Sequence, residues 1–199
     1  MPAQATAREH AGHVDPGERA AAAENTDSTE NPENVEDTET VELDAGSVDA
    51  ADYRRVLGHF ASGVTVVAAE DADGPVGFAC QAFSALSLDP PLVLFSVGHT
   101  STTWPRIKAV GRFCVNFLAA DHETLCRAFA VSGGDKFDGV AWRSSELGSP
   151  ILEGAHGWVD CTIEATHPGG DHTIVVGRVH GLDADPASSP LIFHKGAFA

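Results

Sequence analysis

Residues 98–106 read Gly98-His99-Thr100-Ser101-Thr102-Thr103-Trp104-Pro105-Arg106. Proline suits the first turn of a helix, and hydroxyls just before it suit the N-cap. A helix start of that kind presents unpaired N–H groups and a positive dipole end, which together cradle a phosphate. Plain capping is the competing role for Ser101, Thr102 and Thr103. Arg106 and Lys108 follow closely, and either add charge or stay solvated. His172 stands after Gly169-Gly170-Asp171, at a strand start near a rim. Its ring there either orients a ligand or is a plain surface imidazole; Asp171 either orients that ring or fills the turn. Gln81 sits in an apolar run. A buried amide left unsatisfied costs about 1–3 kcal/mol, so it needs a ligand edge or a neighbouring strand as partner. Lys136 lies in the Gly-rich loop 132–139, as a surface charge or as part of a lid. His194 and Lys195 near the C-terminus either clamp a pyrophosphate or form a frayed basic end.

Other chemistries lack their residues. There is no GxSxG and no paired-carboxylate signal, so no side-chain nucleophile is expected. No GxGxxG follows the first strand, so a nicotinamide nucleotide would bind without a Rossmann domain. The four cysteines, Cys80, Cys114, Cys126 and Cys161, form no CxxC pair and are read as reduced and mostly buried, with no metal expected.

The elements that must position these residues can be read in order. Tyr53, Val56, Leu57 and Phe60 share one helical face, with Asp49 or Asp52 as cap and Gly63 as stop. Residues 64–69 are β-branched and strand-like, 71–74 form a turn, and Pro75 opens the second strand of a hairpin. The runs Val76–Phe83 and Leu92–Val97 are strands separated by the Ser87–Pro91 turn. A helix is expected over 101–110, a strand over 112–118, and a helix from an Asp121 cap to about Ala130 with Leu125 and Phe129 inward. Residues 142–150 lack periodicity. Residues 158–167 and 172–179 are partner strands around the 168–171 turn, 183–189 is a loop, and 190–198 is a final short strand. About seven strands and three helices, mostly hairpin-linked, favour a mainly β, antiparallel closed barrel with peripheral helices.

The chain has 199 residues and a net charge of −17. Residues 1–49 carry thirteen acidic and two basic side chains and no aromatic residue, so they are expected to be disordered. The segment is neither a signal peptide nor a transit peptide by composition. Residues 50–199 form one domain. The acidic balance argues against nucleic acid, and no run reaches membrane-spanning length. A cytoplasmic protein is expected.

GVTVVAA, DGPVGFACQAFSALSLDPPLVLFSV, the STT-W-P helix start, GRFCVNFL, GGDKFDGV-W, GSPILEGA, GGDHTIVVGRV and PLIFHKGAF carry a resemblance. Their order and spacing over 53–198 resemble the flavin reductase-like family, the small reductase components of two-component flavin monooxygenases. That family has an FMN-binding split-barrel fold. GFACQ-x-F and SELGSP are similar to the reductases that serve aromatic-ring and secosteroid hydroxylases.

The resemblance implies hydride transfer from NADH (or NADPH) to FAD or FMN, with reduced flavin passed to a separate oxygenase. It implies that Pro75, Val76, Gly77, Phe78, Ala79, Gln81 and Ala82 line the isoalloxazine, largely through backbone. Ser96 and the stretch through Ser101, Thr102 and Thr103 would hold the ribityl phosphate. Phe129, Lys136 and Phe137 would lie near the outer part of the flavin. His172, in the 170–172 turn, with Phe193, His194, Lys195 and Gly196, would face the nicotinamide nucleotide, with His172 as the catalytic, orienting residue. It also implies a homodimer. Many relatives carry Asn and Ser where Gln81 and Ala82 stand, and Tyr-Arg where His194-Lys195 stands; these positions bear on flavin contacts and nucleotide choice. The alternative from another class is a flavin- or haem-binding split-barrel carrier or sensor without turnover. A split-barrel oxidase of a phosphorylated pyridine is disfavoured by the scarcity of basic residues.

Overall fold

The computed structural model describes residues 48–199. The acidic extension expected to be disordered lies outside them, except for Val48 and Asp49. Asp49 belongs to the folded part, because its carboxylate accepts the N–H groups of Ala51 and Asp52 at 2.7 and 3.2 Å and so caps α1 (Ala50–Leu57). The helix stops before Gly58, whose N–H bonds back to Arg54, and not at Gly63. Phe60 therefore falls outside the helix it was expected to share with Tyr53, Val56 and Leu57, and all four are uncovered, at 83, 57, 53 and 52% exposed.

Twelve strands and two further helices follow among the described residues. In chain order they are β1 (Ser62–Gly63), β2 (Thr65–Asp71), β3 (Gly74–Cys80), β4 (Phe83–Ser87), β5 (Leu92–Gly98), α2 (Trp104–Val110), β6 (Arg112–Phe117), α3 (Glu123–Ala130), β7 (Trp142–Ser144), β8 (Pro150–Leu152), β9 (Gly157–Gly169), β10 (His172–Ala184), β11 (Ile192–His194) and β12 (Ala197–Phe198). Seven strands form one antiparallel sheet in the order β3-β2-β6-β9-β10-β5-β4. The mainly β, antiparallel architecture with peripheral helices is the one the sequence predicts.

The apolar run at 64–69 is continuous because β2 is buried on both faces. Val67 packs with Phe95, Phe113, Val115 and Val175 inside the sheet, where Phe95 meets Trp104 and Phe113 edge-on at 5.9 and 5.2 Å. Val66, one residue earlier and therefore on the other face, packs with Leu118, Phe129, Phe137 and Leu191. Asn116 is the buried amide of this region. It donates to Pro150 O and Val66 O and accepts Leu152 N–H at 2.8 Å, joining β6 to β2 and β8.

Several boundaries differ from the sequence expectation. The run Val76–Phe83 is not one strand. β2 begins at Thr65, which pairs with Cys80, so residue 81 has no partner strand to continue along. The chain crosses at Gln81-Ala82, and Phe83 pairs with Phe95 at the opposite end of the sheet. Residues 142–150 hold the β7–β8 hairpin, too short to show a period. β9 and β10 run thirteen residues each, and β10 takes in the first residues of the expected 183–189 loop. Register shifts at Val176/Gly177 and Val179/Gly181 break the alternation that would have revealed their length. α2 starts at Trp104 and not Ser101, and α3 is preceded by His122 as its N-cap and not Asp121. No helix among the described residues is long and apolar enough to cross a membrane.

Candidate functional site

The crossing at Gln81-Ala82 leaves a seam in the sheet. β3 and β4 are its two end strands. Because β4 begins opposite Phe95, the Ser96–Gly98 end of β5 has β10 on one side and the seam on the other. Ser96 N–H bonds to Ala82 O at 3.0 Å, and Cys80 Sγ lies 3.6 Å from Ser96 O. Beyond these contacts the seam opens into a cavity of about 690 Å³. A second chamber of about 580 Å³ adjoins it, with Thr102, Thr103 and Lys136 lining both.

Most of the residues singled out in the sequence converge here. Phe78, Ala79, Gln81, Ala82, Ser96, Ser101, Phe129, His172, Phe193 and Gly196 line the larger chamber. Pro75, Val76, Gly77 and Phe137 line the smaller one. His194 and Lys195 line neither. Lys195 and Gly196 form the two-residue turn between β11 and β12, both at positive φ (52° and 82°). Lys195 lines a separate hollow with Arg54, Arg55 and His59, and the His194 ring meets His59 at 6.4 Å. Gln81 is exposed and not the buried amide inferred from its apolar neighbours, because it lies at the crossing and outside any strand. Arg127, Ser132 and Phe198 also line the larger chamber, and Trp142, Asp73 and Asp135 the smaller. Of these, Arg127 had a sequence signal, its pairing with Glu123 one turn earlier, which leaves its guanidinium 5.0 Å over Phe198.

Close packing shapes the wall between β3 and α3. Gly77 is buried, and a Cβ there would stand 2.9 Å from Phe129 Cε1 and 3.0 Å from Val67 O. Phe129 is 1% exposed and stacks edge-on with Phe137 at 5.1 Å, which ties the 132–139 loop to the helix. Lys136 extends from that loop across the wall. Its Nζ donates to Gly77 O at 3.3 Å and Phe129 O at 3.2 Å. Burial lowers the Lys136 pKa from its ordinary value, because removal from water disfavours the charged ammonium.

The hydroxyl stretch caps the helix start through one side chain and leaves backbone donors over. Ser101 Oγ accepts Trp104 N–H at 3.1 Å, while Thr103 makes no side-chain cap. Among the described residues, the N–H groups of Thr102 and Thr103 have no protein acceptor. His172 Nδ1 stands 2.6 Å from Asp171 Oδ1, leaving Nε2 turned toward Gly98 and Thr100. The hydrogen bond from His172 lowers the Asp171 pKa. Arg106 binds Asp71 in bidentate fashion at 2.7 and 2.6 Å, and the same bond lowers the Asp71 pKa.

A chamber of this volume matches a small-molecule site. Its donors are backbone N–H groups, hydroxyls, the Lys136 ammonium, the Arg127 guanidinium and the His172 ring, and its walls include Phe78, Phe129 and the backbone of β3. That set suits a flat, polar-edged ring carrying a phosphate. No group of three or more metal-ligating side chains occurs among the described residues.

Residues 57–199 match the family model described as the flavin reductase like domain. A Mycobacterium tuberculosis protein, flavin-dependent monooxygenase reductase subunit HsaB, is 47% identical over 156 residues, covering 77% of this chain and 83% of that one. The crystal structure of nitrilotriacetate monooxygenase component B from Mycobacterium thermoresistibile superposes with a TM-score of 0.73 at 48% identity, covering 75% of this chain and 84% of that one. The Streptomyces globisporus NADH:FAD oxidoreductase SgcE6, solved with NAD and FAD fragments, superposes with a TM-score of 0.72 at 38% identity, covering 78% and 96%.

Proposed function

The chain belongs to the flavin reductase-like family, and on that footing we propose that its seam holds a flavin and a nicotinamide nucleotide for hydride transfer. It is an NADH-dependent flavin reductase that uses FAD or FMN and supplies reduced flavin to a separate flavin-dependent monooxygenase. The observation that carries this reading is the open seam beside β3, whose lining brings together the unpaired N–H groups of Thr102 and Thr103 and the ring of His172.

A bound flavin supplies the ring that accepts the hydride; the protein supplies binding, orientation and exclusion of water. The backbone edge of β3 and the face of Phe78 support the ring. Ser96, Ser101, Thr102 and Thr103 hold its phosphate. Lys136 and Phe137 close the outer side, and Phe129 braces the wall behind them. His172, held by Asp171, orients the nicotinamide through Nε2, and Phe193 and Gly196 flank it. Fixing both rings in contact replaces a random encounter with an ordered one.

The uncovered face of α1 supports a homodimer, since Tyr53, Val56, Leu57 and Phe60 present contiguous apolar surface. Four free cysteines support a reducing, cytoplasmic compartment. The test is oxidation of NADH and NADPH by the purified chain with FAD, FMN and riboflavin supplied in turn. Flavin-dependent oxidation with no other substrate is expected. Inert NADH with all three flavins would overturn the reading. Flavin binding without turnover would point instead to a carrier.

A further inference from the structure

We propose that the smaller chamber takes the adenosine monophosphate half of FAD, so that the chain discriminates the flavin dinucleotide from the mononucleotide. The inference rests on the reading that the larger chamber holds the flavin ring.

The two chambers meet at Thr102, Thr103 and Lys136. A ribityl phosphate held at that junction ends FMN there, whereas FAD continues past it. The continuation has a prepared lining. Arg106 binds Asp71 through Nε and Nη2, which fixes the guanidinium and leaves Nη1 without a protein partner among the described residues. An anchored guanidinium with one free edge suits the second phosphate of a diphosphate. Asp135 accepts Phe137 N–H through Oδ1 at 3.0 Å, and its other oxygen has no protein donor among the described residues. A carboxylate in that state accepts ribose hydroxyls. Trp142 and Pro75 give the apolar lining a purine needs. Asp73 and Asp135 together oppose any further phosphate on the ribose.

The test is titration of the full chain with FAD, FMN and riboflavin, followed by flavin fluorescence, with AMP as competitor. FAD is expected to bind about 10-fold or more tighter than FMN. AMP should weaken FAD binding and leave FMN binding unchanged. Trp142→Phe, which keeps an aromatic ring against Phe137, and Asp135→Asn should each weaken FAD about 3- to 10-fold while FMN stays within about twofold. Equal affinity for FAD and FMN, with no effect of AMP on FAD, would overturn the proposal. So would AMP and both variants raising the KM for NADH while the Kd for FAD holds, because the chamber would then serve the other dinucleotide. Failure of every flavin to bind would instead remove the reading of the larger chamber.

Discussion

His172 Nδ1 and Asp171 Oδ1 stand 2.6 Å apart, at the turn where β10 meets the end of β5. The carboxylate fixes the ring so that Nε2 faces the cleft. We expect His172→Ala to lower kcat/KM for NADH about 10- to 100-fold, with the Kd for flavin almost unchanged. Asp171→Asn should give a smaller loss of the same kind. Steady-state kinetics with flavin affinity measured separately checks this, and equal losses in both quantities would place His172 in the flavin site.

Gly77 has no room for a side chain. In Gly77→Ala the new methyl meets the Phe129 ring and the Val67 carbonyl, so either the β3 backbone or α3 must move. The expected cost is about 1–3 kcal/mol. A lower Tm together with weaker flavin binding is the expected outcome. Phe129→Leu on the same background should recover part of the stability.

Asp71 carries an acid dependence. Its pKa is lowered in the folded state by the hydrogen bond from Arg106. A depressed carboxyl binds fewer protons folded than unfolded. Its contribution is therefore complete above the ordinary aspartate range and is lost as pH falls through the lowered value. The pair is partly exposed, so the effect is modest. Urea midpoints of Asp71→Asn should differ from the parent chain near neutrality and converge with it in strong acid.

The α1 face predicts association. Phe60, just past the end of α1, is 83% exposed, and Tyr53, Val56 and Leu57 on the helix are exposed as well. Sedimentation should show the parent chain at twice its monomer mass and Phe60→Glu shifted toward monomer. A monomeric parent chain would sink the dimer.

Much of this was legible in the sequence because it rests on local rules. The β-branched run at 64–69, the Asp-Gly turn into Pro75 and the Gly-Gly-Asp turn before His172 each specify their own backbone. The hydroxyl stretch at 101–103 announced a donor-rich site by residue type alone. What escaped depends on partners remote in the chain. Gln81 read as a strand residue because its neighbours are apolar, and only the length of β2 decides that the strand ends before it. The buried amide is Asn116, whose three bonds reach β2 and β8. His194 and Lys195 looked like cleft cations, but the turn at Lys195-Gly196 carries them to the α1 side. Asp135 and Trp142 stood inside the GGDKFDGV-W motif without a role of their own, and only the folded loop brings them to the second chamber.

Gln81 and Ala82 also set how the molecule can breathe. They join the two margins of the opening covalently, across three chain steps that span at most roughly 11 Å. That end works as the pin of a clasp: no loss of weak contacts lets the jaws part there. Any yielding on nucleotide entry or departure falls to the far end, where the glycine-rich segment around Lys136 and the β11–β12 pair are held by hydrogen bonds and ring packing alone.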